Sequence, residues 1–119
     1  MRILVCDDTR SLWEMLSMML PGHQCQWAPD EADALAKTAA GLDLAIVACC
    51  LGHQPTTGLT LALRGTVPVL VLSSDDLCRR KALDRGLPVL DRPFSWDALK
   101  SAIESTAQER RTAGAWGWG

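Results

Sequence analysis

The chain has 119 residues, of which 48% are hydrophobic and 22% are charged, and its formal net charge at pH 7 is −2. This length fits one globular domain with a single core. Because the charge is nearly neutral, long-range attraction to nucleic acid or to an anionic membrane is not expected.

The cysteine pattern argues against a disulfide scaffold and against a zinc site. Five cysteines are an odd number, and none stands in a CxxC or Cys/His metal spacing. Arg2 is followed by only four apolar residues and then two aspartates, which is unlike a secretory leader. No apolar run is long enough to span a bilayer. We therefore expect a cytoplasmic protein with reduced thiols.

The first half of the chain predicts two strands, each followed by a helix. The apolar run 3–6 is typical of a strand buried on both faces, and a helical pattern follows to residue 20, with Ser11 and Glu14 as a capping box. Residues 24–28 form a weaker strand. Asp30 is predicted to cap a second helix. Its inner stripe is assigned to Ala32, Leu35, Ala36 and Ala39.

The second half repeats this alternation. Apolar runs at 44–51 and 67–72 predict two more buried strands, separated by a loop and a short helix at 59–63. A helix from Asp75 or Asp76 to about residue 85 precedes a short strand at 88–90. Ser95 is predicted to cap the last helix. Its buried face is assigned to Leu99, Ala102, Ile103 and Thr106.

Five strands that alternate with five helices predict an α/β fold. We expect a flavodoxin-like, doubly wound parallel sheet of order 2-1-3-4-5 between two helical layers, a three-layer α/β/α sandwich. The domain is assigned to 1–111, and 112–119 to a flexible tail rich in Trp and Gly. In such sheets the functional crevice lies at the carboxyl ends of the strands.

The residues at those strand ends resemble the receiver domain of bacterial response regulators. The resemblance covers residues 1 to about 108 and rests on four clusters: Asp7-Asp8, the run that ends at Ala48, Ser73-Ser74, and Arg92-Pro93-Phe94. It implies an acidic pair for Mg²⁺, an aspartate that accepts phosphate, a hydroxyl, and a lysine before the proline. It also implies a role in two-component signalling.

The sequence departs from the family pattern at three positions, of which the acceptor is the first. Ala48 stands where the phosphoacceptor aspartate belongs, and no Asp or Glu occurs between Asp43 and Asp75. A methyl group cannot act as the oxygen nucleophile of phosphoryl transfer. Asp43 is expected at the opposite end of its strand, too far away to substitute. We therefore predict a pseudo-receiver that is not phosphorylated at this site, and no enzyme activity.

The remaining pocket residues are interpreted in the same way. Arg92, in place of lysine, is predicted to pair with Asp7 and Asp8, so no metal is expected beyond weak residual Mg²⁺ binding. Val89 occupies the position at which the family has a switching aromatic residue. It cannot swing as Tyr or Phe would. No cofactor is expected.

These departures predict a protein-interaction module. The resemblance places the partner surface around the fourth helix, the fifth strand and the fifth helix. The candidate residues there are Arg79, Arg80, Lys81, Trp96 and Lys100. The partner would be a histidine kinase, a true receiver, another effector or a second copy of this chain.

A thiol-based redox switch is the alternative function. Cys6, Cys49 and Cys50 lie near the missing acceptor, and Arg92 would stabilise a thiolate among them. Cysteine is also a small apolar residue that fills buried strands without any reactivity. Both interpretations are compatible with the sequence.

Overall fold

A computed structural model describes residues 1–7, 9–20, 22–38, 41–48, 50–51, 54–55, 67–73, 76–84, 86–91 and 94–115. The strands are β1 (Arg2–Cys6), β2 (Gln24–Ala28), β3 (Leu44–Ala48), β4 (Cys50–Leu51), β5 (Gln54–Pro55), β6 (Val69–Ser73) and β7 (Val89–Asp91). The helices are α1 (Ser11–Met19), α2 (Glu31–Lys37), α3 (Asp76–Asp84) and α4 (Trp96–Ala115).

The five longer strands form one parallel sheet. Its order is β2-β1-β3-β6-β7, and a separate two-residue antiparallel ladder joins β4 to β5. This is the predicted 2-1-3-4-5 order, so the flavodoxin-like fold is confirmed. The predicted strand at 44–51 is divided, because β3 ends at Ala48 and Cys50–Leu51 pair with Gln54–Pro55 outside the main sheet.

The sheet separates two apolar layers. On one face, α1 and α4 bury Leu12, Leu16, Leu99 and Ile103 against side chains of β1, β3 and β6. On the other face, the small side chains of Ala34 and Ala82 bring α2 and α3 close to the sheet. Every residue of β3 and of β6 is buried, and apart from Ser73 at the end of β6 these residues are all apolar, as expected for strands covered on both faces.

Two helix caps agree with the sequence, and one does not. The Asp30 Oδ1 accepts the Asp33 backbone N–H at 2.8 Å, and the Ser95 Oγ accepts that of Ala98 at 3.1 Å. The capping box at Ser11 and Glu14 was wrong. Helix α1 is preceded by Arg10, which makes no side-chain cap. Glu14 instead pairs with Arg10 at 3.5 Å, the helical i,i+4 spacing.

The predicted inner stripe of α2 was also wrong. Ala34 is buried, whereas Ala32, Leu35 and Ala36 are exposed. Residues two apart on a helix point in nearly opposite directions, so burying Ala34 turns Ala32 and Ala36 outward. The orientation of α2 also brings Lys37 to the edge of the sheet, where it binds a backbone carbonyl of β2.

The short helix predicted at 59–63 lies outside the described residues, which contain four helices. Helix α4 continues to Ala115, so residues 112–115 extend the last helix beyond the predicted boundary at 111. Residues 116–119 lie outside the described part of the chain. Among the described residues, no helix combines the length and apolarity needed to cross a bilayer.

Candidate functional site

Three predicted site residues are aligned at the carboxyl edge of the sheet. The register pairs Cys6 with Val47 and Ala48 with Leu72. Asp7, which directly follows β1, therefore lies at nearly the same level as Ala48 and Ser73, which end β3 and β6. All three are buried, with exposures of 5%, 8% and 1%. The fold therefore brings the predicted acidic, acceptor and hydroxyl positions into one row.

Asp7 is held in place through its backbone and its carboxylate. Its N–H donates to the Ala28 carbonyl at 3.3 Å, and its carbonyl accepts the Trp27 Nε1–H at 2.8 Å. The Oδ1 accepts the Thr9 backbone N–H at 3.2 Å. Trp27 has no role in the sequence prediction. Its contact with Asp7 joins residues twenty apart in the chain, which no local pattern indicates.

The acceptor position contains only a methyl group. Ala48 is the last residue of β3, and Asp43 precedes the first. The Asp43 Oδ2 accepts the Arg2 backbone N–H at 2.8 Å, at the amino end of the sheet. Five strand residues at about 3.3 Å each separate it from the row of Asp7, Ala48 and Ser73. The carboxylate of Asp43 therefore cannot serve this row.

Several predicted pocket residues are outside the described part of the chain. They are Asp8, Cys49, Arg92 and Pro93. The predicted pairing of Arg92 with Asp7 and Asp8 therefore stays a prediction. Within the described residues, no three His, Cys, Asp or Glu side chains are grouped so as to hold a metal ion.

The predicted switch position, Val89, is a small side chain on strand β7. Val89 pairs with Val71, is partly buried, and packs against the layer that α2 and α3 cover. The next residue, Leu90, packs against the opposite layer. Strand β7 is thus fixed between the two layers by alternating apolar side chains.

The predicted partner surface lies around β7, which contacts both α3 and α4. Arg80, Lys81 and Lys100 are exposed, and Arg79 pairs with Asp91 at 3.2 Å. Both groups of this pair remain about half exposed, so it adds little stability. Trp96 is partly buried and packs against the core layer under α4. This packing within the chain explains why Trp96 is partly buried, so its burial does not indicate a bound protein.

Sequence reasoning missed two leucines on the same surface. Leu77 and Leu83 of α3 are 65% and 53% exposed. They flank Arg80 by three residues on each side, so the three side chains form one stripe along the helix. We call Leu77, Arg80 and Leu83 of α3 the β7-side surface. The sequence did show two leucines, Leu77 and Leu83, within the predicted helix. It did not show whether these leucines face the sheet or the solvent.

Cys6, the redox candidate whose surroundings the structure describes, is poorly suited to redox chemistry. Cys6 is fully buried, and this burial, with smaller contributions from the carboxylates of Asp33 and Asp7, raises the pKa of its thiol to about 12. Burial also raises the pKa of Cys25. Since the thiolate is the reactive form, a raised pKa lowers reactivity. Cys50 lies in β4.

Solved structures with the same architecture include receiver domains. The CheY-like receiver domain protein of Methanospirillum hungatei is 20% identical, with a TM-score of 0.80 over 93% of this chain and 96% of that chain. The receiver domain of an HD domain-containing protein of Pseudomonas fluorescens is 22% identical, with a TM-score of 0.81 over 93% and 97%. An adenylate cyclase structure from Rhodopirellula baltica is 21% identical, with a TM-score of 0.85 over 98% and 93%.

These similarities establish the fold and no more, because the identities are low. No protein-family model matches the sequence, and no curated protein matches it significantly. The chain therefore has the receiver-type, CheY-like form of the flavodoxin-like fold.

Proposed function

We propose that this chain is a receiver-like signalling domain that acts by binding another protein, without aspartyl phosphorylation and without enzyme activity. The observation that carries the proposal is Ala48, which ends β3 in the buried row between Asp7 and Ser73. A receiver needs a carboxylate nucleophile at this place, and the side chain here has no oxygen.

Asp7 is a poor replacement for the missing nucleophile. It is almost fully buried, and its Oδ1 accepts the Thr9 N–H. An in-line attack requires a free carboxylate oxygen aimed at the phosphoryl group, together with cations that neutralise the phosphoryl oxygens. With one acidic ligand absent from the row, Mg²⁺ would lose part of the oxygen coordination that it demands. Phosphoryl transfer and strong Mg²⁺ binding are both disfavoured for these reasons.

The β7-side surface supports a protein partner. It combines two exposed leucines with the exposed Arg80, and Lys81 and Lys100 are also exposed on the two helices that contact β7. Apolar side chains that leave water on binding supply affinity, and surrounding charges select a partner of opposite sign. We therefore propose a protein partner with an acidic surface, such as a histidine kinase, a true receiver or another effector, or a second copy of this chain.

Absence of phosphorylation is the first expected result. After incubation with a small-molecule phosphodonor and Mg²⁺, the intact mass should show no adduct of about 80 Da, because no acceptor oxygen is available at Ala48. An authentic receiver domain treated in parallel should gain that mass. An adduct on this chain that mapped to any residue of the row would contradict the proposal.

Crosslinking tests the binding half of the proposal. A photoreactive residue in place of Arg80 should crosslink a protein from the source cells, and the yield should not change when a phosphodonor is added. The matched control is the same residue in place of Glu31, which is exposed on α2, away from β7. Equal crosslinking at both positions, or crosslinking at position 80 that depends on the phosphodonor, would count against the proposed surface or mechanism.

The redox alternative has lost support at one of its three cysteines. Cys6 is buried and its pKa is raised, which disfavours the thiolate that a sensor requires. No contact of the described residues favours this alternative over protein binding. It rests on Cys49 and Cys50 alone.

A further inference from the structure

One edge of the sheet is strand β2, which among the residues that the structure describes pairs with β1 alone. An uncovered edge strand presents backbone donors and acceptors to solvent and is a template for pairing with another chain. The contacts around β2 differ from those of an open edge.

The outward carbonyls of β2 can be identified from its pairing. Gln24 donates its N–H to the Met1 carbonyl at 2.9 Å, and the Ala28 carbonyl accepts the Asp7 N–H at 3.3 Å. Backbone groups alternate in direction along a strand, so residues 24, 26 and 28 face β1. The carbonyls of Cys25 and Trp27 therefore point away from the sheet.

Each helical layer contributes one side chain that donates a hydrogen bond to one of these two carbonyls. The Trp13 Nε1–H of α1 donates to the Cys25 carbonyl at 2.8 Å. The Lys37 Nζ of α2 donates to the Trp27 carbonyl. Because α1 and α2 cover opposite faces of the sheet, the two side chains reach the edge from both sides.

Both donors are held by further contacts. Trp13 packs against the core layer under α1, and the Arg10 guanidinium lies 5.7 Å from the ring centres of both Trp13 and Trp27. The Lys37 Nζ also pairs with the Asp33 carboxylate at 2.7 Å. Arg10 and Asp33 thus help to hold the Trp13 indole and the Lys37 ammonium against the β2 edge.

We infer that Trp13 and Lys37 together close the β2 edge against pairing with a strand of a second protein molecule. An incoming strand would have to donate to both carbonyls, so it would first have to displace both side chains. This inference goes beyond the proposed signalling function and does not depend on it. It predicts that loss of the two donors allows self-association through β2.

The test is the double variant W13F/K37M, which keeps an aromatic ring and an aliphatic stem but removes both donors. At concentrations at which the parent is monomeric, the weight-average mass from sedimentation should rise toward double. In the associated state, the backbone N–H groups of Cys25 and Trp27 should exchange with solvent up to about tenfold more slowly, as expected for new hydrogen bonds. The matched control is K37R, which keeps a cationic donor and should stay monomeric.

Three results would overturn the inference. A folded double variant that remains monomeric under those conditions would do so. Self-association without slower exchange at Cys25 and Trp27 would place the contact elsewhere. The third result concerns the parent, whose Trp13 indole N–H should exchange more slowly than that of free tryptophan. Equal exchange rates would show that the edge is not closed, which decides the matter even if the double variant does not fold.

Discussion

Replacing Ala48 with aspartate is expected to lower the free energy of unfolding by about 3 kcal/mol or more at about pH 8, because the substitution puts a charge into a buried site. Ala48 is only 8% exposed, and its neighbour in the row is the buried Asp7. Burial and the adjacent carboxylate both disfavour ionisation, so the pKa of the introduced carboxyl should be raised in the folded state.

The sign of the pH dependence follows from that raised pKa. As the pH falls from about 8 to about 5, the folded state takes up the proton before the unfolded state does, and the stability difference from the parent should narrow. Urea unfolding at both pH values measures this change. The matched variant A48N adds a side chain of the same shape without a charge, so its deficit should be smaller and independent of pH. An A48D variant as stable as the parent at about pH 8 would show that a cation already compensates the site.

The second large effect concerns Cys6 and alkaline pH. Its pKa of about 12 in the folded state compares with 9.0 for an unperturbed thiol. Between these values unfolding releases a proton, so the free energy of unfolding should fall as the pH rises, by up to about 1.4 kcal/mol for each pH unit. Below about pH 9 the thiol is protonated in both states and contributes no slope.

The variant C6V isolates this effect. Valine fills the buried site without an ionisable group, so its stability should decline less steeply than that of the parent between about pH 9 and about pH 11. Urea unfolding at fixed ionic strength provides the measurement. Alkylation at neutral pH provides a second readout, since Cys6 should react only after denaturation. Identical slopes for the parent and C6V, or rapid alkylation of native Cys6, would contradict its assigned environment and revive the redox alternative.

Much of the fold could be predicted because buried parallel strands have a distinctive sequence. The runs that became β3 and β6 lack polar residues, and the residues of β3 and β6 are buried throughout. The alternation with helices then leaves few possible topologies. The row of Asp7, Ala48 and Ser73 follows from the same rule, since residues that end neighbouring parallel strands must meet at one edge.

The face that α2 turns to the sheet could not be predicted in this way. Residues 32, 34 and 36 are all alanine, so the residue type does not indicate which of them is buried. Contacts with other elements select it. Lys37 reaches the Trp27 carbonyl, ten residues away, and the burial of Ala34 accompanies that orientation. The spacing of Asp33 and Lys37 was a local signal for their ion pair, but it did not indicate the strand beside them.

The cluster around Trp13 shows a similar limit. Its ring lies beside the apolar stripe of α1, where a partly buried packing residue and a binding residue have the same sequence pattern. The hydrogen bond from its indole to the Cys25 carbonyl depends on how α1 lies across β1 and β2. Such a contact forms only after the layers have assembled, so periodicity within one helix does not report it.

The position of β3 in the sheet has a consequence for synthesis on the ribosome. Strand β3 lies between β1, which precedes it in the chain, and β6, which begins at Val69. In a nascent chain that has emerged only to Leu51, the hydrogen-bonding edge of β3 that later pairs with β6 is therefore still unpaired. Such unpaired strands promote aggregation of incomplete chains. The translation time between Ala48 and Ser73 is thus the interval in which a chaperone would protect this protein most.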